Sequence, residues 1–531
     1  MTNSTKEFKD SDAFFIIGSN TTENHPVIGY YVKQAVARGA KLIIADPRKI
    51  DLVDDASHWL QQKNGTDIAL INGLMNVIIN EGLEDKEFVK NRTENYEAFK
   101  ENVLKYDPEK VEKITGVPAD LIREAAREYA KADKAALLYC MGITQHITGT
   151  DNVKSCVNLQ LLTGNIGKYA TGVNPLRGQS NVQGACDMGA LVNVFPAYQP
   201  VINPDVRKKF EKLWDVDELD DKIGLTVVEM FNAAAVGDIK AMYVMGENPA
   251  MSDPNSNHIE EAIRNLDLLI VQDIVLTETA KMGTVVFPAA SFAEKEGTFT
   301  NTCRRVQKVR PAIELVGEAK QDYDILDELA RRMNYDKLSA GSPEQIFEEI
   351  RQCTPSYAGI TYQRIDNKGI QWPCPNEEHP GTPILHKDKF VRGLGLFSIC
   401  EHKDPAEMPD DDYPFVLSTG RILYHFHTAT MSRNSKVLSE KAPENYIEIH
   451  PKDAERLNIA GGDFVKVSSR RGEITVRALI SKRPLKGSLF LPWHFSESSA
   501  NILTIDALDP VAKIPEYKVC AVAIEKLNNK K

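Results

Sequence analysis

The feature that most limits the fold of this chain is a series of short apolar runs, each closed by glycine, an acid or proline, with helical stretches between them. Ala13 to Ile17 is wholly apolar and stops at Gly18, His25 and Pro26 open a helical stretch that stops at Gly39, and Lys41 to Ala45 forms a second run before Asp46. Runs this short, bounded by turn residues, suit strands better than helices. Thr66 is a candidate N-cap for a helix to Asn80, with Ile68, Ile71, Leu74, Met75 and Ile78 on one face. A further helix from Pro118 to Lys131 presents Leu121, Ile122, Ala125 and Tyr129, and Ala135 to Tyr139 returns to strand. Alternation of this kind predicts α/β architecture, a parallel sheet with helices on both faces.

The pattern recurs farther along. Ala241–Met245 leads into Gly246, Leu268–Gln272 into Asp273 and Thr284–Phe287 into Pro288. From about Asp404 the texture changes to short β-branched runs separated by glycine and proline, at 414–418, 463–468, 473–478 and 487–491, which predicts a β-barrel-like domain. A chain of 531 residues is too long for one core and divides into about three domains. The expected division is 1–179 and 180–403 for two Rossmann-like α/β domains and 404–531 for the barrel. The lysine–asparagine tail from Asn528 to Lys531 is the one low-complexity tract.

Composition narrows the function classes. With 64 basic against 75 acidic residues the formal charge is −11, which disfavours a general nucleic-acid binder. No apolar run has membrane-spanning length, and the N-terminal residues lack the apolar core of an export signal, so the expected location is cytoplasmic. The eight cysteines, at 140, 156, 186, 303, 353, 374, 400 and 520, are scattered without the close pairs of zinc or iron–sulfur sites. They read as reduced packing residues, and no metal ligand is expected in this chain.

Several segments carry candidate chemistry. Residues 172 to 189 combine glycines, amides and one arginine in a stretch too irregular for core helix or strand. Arg177 stands there between Pro175 and Gly178, and a planar guanidinium suits a small carboxylate. Gln179, Asn181 and Gln183 add neutral donors and acceptors, while the plainer alternative is a surface loop with a solvated arginine. Asn20 and Asp46 follow the first two strands, where a nucleotide can lie, although Asp46 serves equally as a turn residue before proline. The glycine spacing is not the Gly-x-Gly-x-x-Gly of simple nicotinamide sites. His425 and His427 would face one side of a strand, either as a metal pair or as structural histidines, and no third ligand stands at useful spacing. Serine-hydrolase, zincin and Walker templates are absent.

The run from Asn174 to Gly189 closely resembles the active-site loop of molybdenum- or tungsten-dependent formate dehydrogenases of the dimethyl sulfoxide reductase superfamily, and the resemblance extends from Asp12 to Ala523. It implies a bis-molybdopterin guanine dinucleotide cofactor, a double-psi form for the C-terminal barrel, and oxidation of formate to carbon dioxide or the reverse. Arg177 would hold the formate carboxylate and Gln179 the pterin edge. Asn20, Asp46, Arg48 and the Asn64–Asp67 loop with Gly65 match positions for one guanine dinucleotide, and Gly142 and Gln145 lie where the family approaches a pterin. Gly246, Asp273 and Thr277 match the second dinucleotide, with a helix-start threonine as the alternative for Thr277. Arg421 and His425 match the segment that closes the barrel over the pterins, and Asn501 and Lys518 match late cofactor contacts. Cys303 stands where the family usually has an acid within the 297–307 signature.

The resemblance also sets expectations for what accompanies this chain. The family's four-cysteine [4Fe–4S] motif, the lysine after it and the selenocysteine or cysteine metal ligand do not occur in the sequence. The expectation is a fragment, inactive alone, whose coding frame continues upstream through an in-frame UGA. Iron–sulfur electron-transfer subunits, ferredoxin or a hydrogenase are the implied partners. A nitrate-reductase-type enzyme and a non-catalytic scaffold homologue are the competing classes.

Overall fold

The apolar runs at the start of the chain become neighbouring strands of one sheet. The computed structural model describes residues 1–338 and 341–527; the tail at 528–531 lies outside the described residues. Strands β1 (Ala13–Ile17), β2 (Lys41–Ala45), β3 (His58–Leu60), β4 (Ala135–Tyr139) and β5 (Gly172–Pro175) lie in the order β3-β2-β1-β4-β5, all parallel. Phe14 and Ile16 pack toward helix α1 (Pro26–Val36) with Ile28, Val32 and Ala35. Ala13, Phe15 and Ile17 face the opposite way, into a core with helices α2 (Asp67–Asn80), α3 (Ala119–Ala130) and α4 (Gly149–Leu162). Strand residues alternate faces, so a continuous apolar run is what a sheet covered on both sides requires.

Three local expectations are corrected. Every residue of α2 from Asp67 to Ile79 is buried, not one face alone, because neighbouring helices surround it. Thr66 precedes that helix, but its hydroxyl donates to Lys63 O at 2.7 Å and does not cap. The stretch expected to be irregular contains β5, whose backbone pairs with Ala136 to Tyr139, and helix α5 (Val182–Asp187). Glycine and proline hide such an edge strand from composition, since only the partner strand supplies its hydrogen bonds.

The chain leaves β1 toward β2 on one side and returns to β4 on the other, so the strand order reverses between β1 and β4. The loops after these two strands meet there. Gly142 N donates to Gly18 O at 3.1 Å, and a Cβ on Gly142 would stand 2.6 Å from Gly18 Cα. Open parallel sheets bind ligands at such a reversal, outside the carboxyl ends of the strands.

A second sheet carries β6 (Ala241–Met245), β7 (Leu268–Asp273) and β8 (Val285–Pro288), parallel in the order β8-β7-β6. It is followed by an antiparallel hairpin of β9 (Gly297–Thr300) and β10 (Arg305–Val309). The C-terminal strands β11 (Phe415–Gly420), β12 (Tyr446–Ile449), β13 (Phe464–Ser469), β14 (Gly472–Ile480), β15 (Ser488–Pro492) and β16 (Cys520–Lys526) close a barrel in the order β11-β15-β12-β14-β13-β16. Two of its neighbour pairs are parallel, β11 with β15 and β12 with β14. Phe415, Leu417, Val465, Val467, Val476, Leu489, Leu491 and Val522 fill its interior. The expected class, parallel α/β sheets followed by a β-barrel, is therefore present.

Two compact units are distinguishable. The first joins Met1–Leu176, Ser252–Asn257 and the chain from Ile384 onward, so the five-stranded sheet and the barrel share it. The second comprises Arg177–Met251 and His258–Pro383. Among the described residues no helix is long and apolar enough to cross a membrane.

Candidate functional site

In the first unit, the tips of β1, β2 and β4 and the barrel loops bring together most of the residues singled out in that part of the chain. Asn20 follows β1; its Nδ2 is buried and has no hydrogen-bond partner among the described residues. Asp46 follows β2 and accepts from Arg48 N at 2.9 Å, yet burial pushes its carboxyl up to about 6. Gly65 has φ +77°, and a Cβ there would lie 2.6 Å from Pro405 Cγ, so the turn requires glycine. Beside it Asn64 donates to Lys518 O at 3.3 Å, while Asn64 Oδ1 is buried without a partner among the described residues. Gln145 ends the short turn that starts just past β4; its backbone N–H donates to Met141 O at 3.0 Å, and its side-chain amide makes no hydrogen bond among the described residues.

Two cations stand in this region without an acid paired to either among the described residues. Lys518 donates to Thr419 O at 2.6 Å, and burial, reinforced by Arg421, lowers its ammonium to about 8. Cys140 and Asp46 oppose that shift. Burial likewise lowers Arg421, whose guanidinium lies 5.4 Å from the Phe426 ring centroid. Buried positive charge without a matching acid is costly, and an anion relieves it. Orphaned amide atoms, free donors and unmatched cations at a strand-order reversal fit a phosphate-bearing dinucleotide.

Other residues in this unit are engaged by the protein itself. Arg48 forms a bidentate pair with Glu448, Nε to Oε2 at 2.8 Å and Nη2 to Oε1 at 2.7 Å, and lies 3.9 Å above the Phe490 ring. His425 is buried, with Nε2 2.8 Å from Ala442 O and Nδ1 3.2 Å from Ser432 Oγ. Its segment is not a strand: β11 ends at Gly420, and His427 has φ +50°. The same-side argument for an imidazole pair therefore fails. His427 is lowered to about 4 by burial and Arg421. His494 was not anticipated. It accepts from Ile422 N at 3.0 Å through Nε2, so Nδ1 carries the proton and donates to His427 O at 2.6 Å. Asn501 donates to Ser252 O at 3.1 Å and accepts from Thr504 at 3.2 Å. Among the described residues no group of three or more histidines, cysteines or acids is arranged to hold a metal.

In the second unit, Gly246 follows β6 with φ +64° and open space where a Cβ would be, and Asp273 ends β7. Asp273 accepts from Ile274 N at 2.7 Å, and burial raises its carboxyl. Thr277 caps the turn Glu278–Lys281, accepting from Ala280 N at 3.1 Å.

Arg177 belongs to the same unit, and its N–H donates to Thr302 Oγ1 at 3.0 Å. It acts electrostatically on Cys186 and Tyr198. Of the three amides on its loop only Gln179 is left without a hydrogen bond among the described residues. Asn181 accepts from Thr300 N at 2.8 Å, and Gln183 donates to Asp187 at 2.8 Å and Tyr198 at 3.0 Å, so these two brace the loop. Cys303 is buried and, in place of an acid, directs its thiol to Asn301 Oδ1 at 3.2 Å. Next to it the buried Arg304 donates to carbonyl oxygens of Trp372, Thr382 and Pro383.

Parallel sheets with ligand-ready strand tips, an unmatched cationic site and a closed barrel define a dinucleotide-cofactor enzyme, and the chain belongs to the molybdopterin oxidoreductase family. The model of that family, Molybdopterin oxidoreductase, matches residues 1–332, and the Molydopterin dinucleotide binding domain matches 415–521. The chain is 53% identical over 530 residues to F420-dependent formate dehydrogenase subunit alpha of Methanocaldococcus jannaschii, covering 99% of this chain and 78% of that protein. It is 42% identical to formate dehydrogenase H of Escherichia coli, covering 99% of this chain and 74% of the relative. Acetylene hydratase from Pelobacter acetylenicus has the same fold, with a TM-score of 0.77 at 22% identity over 99% of this chain and 79% of that one.

Proposed function

We propose that this chain is the catalytic subunit of a formate dehydrogenase, converting formate to carbon dioxide, one proton and two electrons. The observation that carries the reading is Arg177, a guanidinium on a braced, glycine-bounded loop, in a chain 53% identical to a formate dehydrogenase alpha subunit. When bound, bis-molybdopterin guanine dinucleotide with molybdenum or tungsten supplies the two-electron redox chemistry. Arg177 binds the formate carboxylate through its fork and fixes the direction of the C–H bond. Orientation of this kind replaces an entropic cost of encounter with a bound geometry. Gln179 donates to the pterin edge.

Asn20, Asp46 and Gly65 receive one dinucleotide, with Arg421 and Lys518 opposite its negative charge and Gly142 and Gln145 beside its pterin. Gly246, Asp273 and Thr277 receive the other. Arg48, His425 and Asn501 act behind these groups by holding the elements that carry them. The two electrons pass to an iron–sulfur partner subunit or ferredoxin, in keeping with relatives that are alpha subunits of larger enzymes.

The purified enzyme is expected to contain guanine nucleotide with molybdenum or tungsten, and to reduce a redox dye with formate as donor. Retained metal and nucleotide with nitrate turnover but no formate oxidation would favour the nitrate-reductase class, and a chain with neither metal nor nucleotide a scaffold.

Lys518 offers a test that does not depend on turnover. Between about 8 and the ordinary lysine value of about 10.4 the folded, ligand-free chain binds fewer protons at this site than the unfolded chain. The contribution of Lys518 to stability therefore rises with pH across that window and is lost as pH falls. Lys518→Met removes the buried ammonium. Thermal melting should show a higher midpoint for the ligand-free variant at pH 7, while nucleotide analysis should show less retained cofactor. An unchanged cofactor content would remove Lys518 from the binding set.

A further inference from the structure

The strongest unassigned feature is a buried carboxylate of the second unit that accepts several hydrogen bonds and has no cation beside it among the described residues. Asp187 ends α5 and is 1% exposed. Tyr357 OH donates to its Oδ2 at 2.5 Å, and Tyr198 OH and Gln183 Nε2 each donate to its Oδ1 at 2.8 Å. All three donors are neutral, and no cation pairs with Asp187 among the described residues. Burial pushes the carboxyl up, and these hydrogen bonds together with the Trp372 indole pull it back.

Two connections run from this carboxylate to the arginine loop. Since the single proton of Tyr357 goes to Asp187, Thr300 Oγ1 donates to Tyr357 OH at 2.9 Å, while Thr300 N donates to Asn181 Oδ1 at 2.8 Å. Thr300 ends β9, and two residues farther along the same hairpin Thr302 accepts the N–H of Arg177. The second route is direct: Gln183 and Asp187 both belong to α5, which begins five residues after Arg177, and Tyr198 is within the electrostatic reach of that arginine. The hairpin and α5 are thus fastened to one point.

We propose that Asp187 is a positioning residue for formate binding, holding the backbone of the Arg177 loop through Tyr357, Thr300 and Gln183 so that the guanidinium meets the carboxylate in one orientation. The inference rests on the assignment of Arg177 as the formate-binding group. A carboxylate accepts from all three donors at once. An amide with its oxygen toward Gln183 and Tyr198 turns its NH2 to Tyr357, which must then accept and send its own proton to Thr300, so the charge-assisted bonds are lost and the Tyr357–Thr300 link is reversed.

The test compares Asp187→Asn, Tyr357→Phe and Arg177→Lys in the purified enzyme, with formate kinetics and guanine nucleotide content as readouts. Asp187→Asn and Tyr357→Phe are each expected to raise KM for formate about tenfold, the size of one lost buried hydrogen bond, with cofactor content unchanged. In the Arg177→Lys background Asp187→Asn should add less than about twofold, because both changes act through the same group. A formate KM unaltered in both single variants, or equal effects with and without Arg177, overturns the positioning role even if Arg177→Lys alone impairs formate use. Normal formate kinetics in Arg177→Lys overturns instead the assignment on which the inference rests. Should Asp187→Asn fail to fold, Tyr357→Phe keeps the carboxylate and carries the comparison.

Discussion

Replacing Arg177 by lysine is expected to lower kcat/KM for formate about a hundredfold, the scale on which a misplaced reacting group is felt. Charge is retained in this variant, so a loss measures geometry. A guanidinium offers two parallel N–H donors to a carboxylate, whereas an ammonium approaches as a point charge and leaves the anion free to rotate. The backbone of residue 177 remains tied to Thr302 in either case, because that bond uses the main-chain N–H. Metal and nucleotide contents should equal those of the unaltered enzyme, which separates substrate binding from cofactor loss. Steady-state formate kinetics with the unaltered rate and KM would place the carboxylate elsewhere.

Glu448→Ala is expected to destabilise the first unit by about 3–5 kcal/mol, the usual cost of leaving one member of a buried ion pair alone. Arg48 is 8% exposed and Glu448 1% exposed, so water cannot replace the lost carboxylate. Glu448 and Phe490 are opposite each other on β12 and β15, and together they receive Arg48 from the loop after β2 by charge and by ring stacking. The pair therefore fastens the five-stranded sheet to the barrel. The double variant Arg48→Met, Glu448→Leu should recover most of the loss, since apolar residues of similar volume need no partner. Denaturant unfolding followed by circular dichroism measures both. A change below about 1 kcal/mol in Glu448→Ala would mean that the pair is as weak as an exposed one.

Strands β1, β2 and β4 of the first parallel sheet and the three strands of the second were legible in the sequence because their runs are largely apolar and end at glycine, acid or proline, a signal that is local to each run, whereas His58–Leu60 was not. Four barrel strands were legible for a different reason, as short β-branched runs between glycine and proline. The strand at 446–449 was missed because Asn445, Tyr446 and Glu448 break its apolar pattern; Glu448 is buried there in an ion pair with Arg48, which lies 400 residues away in sequence. The strand at Gly172–Pro175 was missed because its hydrogen bonds depend on Ala136 to Tyr139, thirty-odd residues earlier. Local composition contains no trace of such a partner.

The sequence by itself determined the alternation of elements, the family and the set of polar residues that stand just beyond the strands, since each of these follows from residue type and spacing. Only the tertiary structure decided which of those polar residues keep unused hydrogen-bonding groups and which are engaged by the fold. Among the described residues Asn20 Nδ2 and the side-chain amides of Gln145 and Gln179 make no hydrogen bond, whereas Arg48, Asn181, Gln183 and His425 are engaged by Glu448, Thr300, Asp187 and the 432–442 segment. Asp187 lies inside the run 172–189 but was not singled out within it, and His494 gave no sign in the sequence. The physical reason is common to every case: an amide, guanidinium or imidazole has the same chemistry whether it meets a cofactor or a neighbouring strand, and only the groups folded against it decide where its hydrogen bonds go.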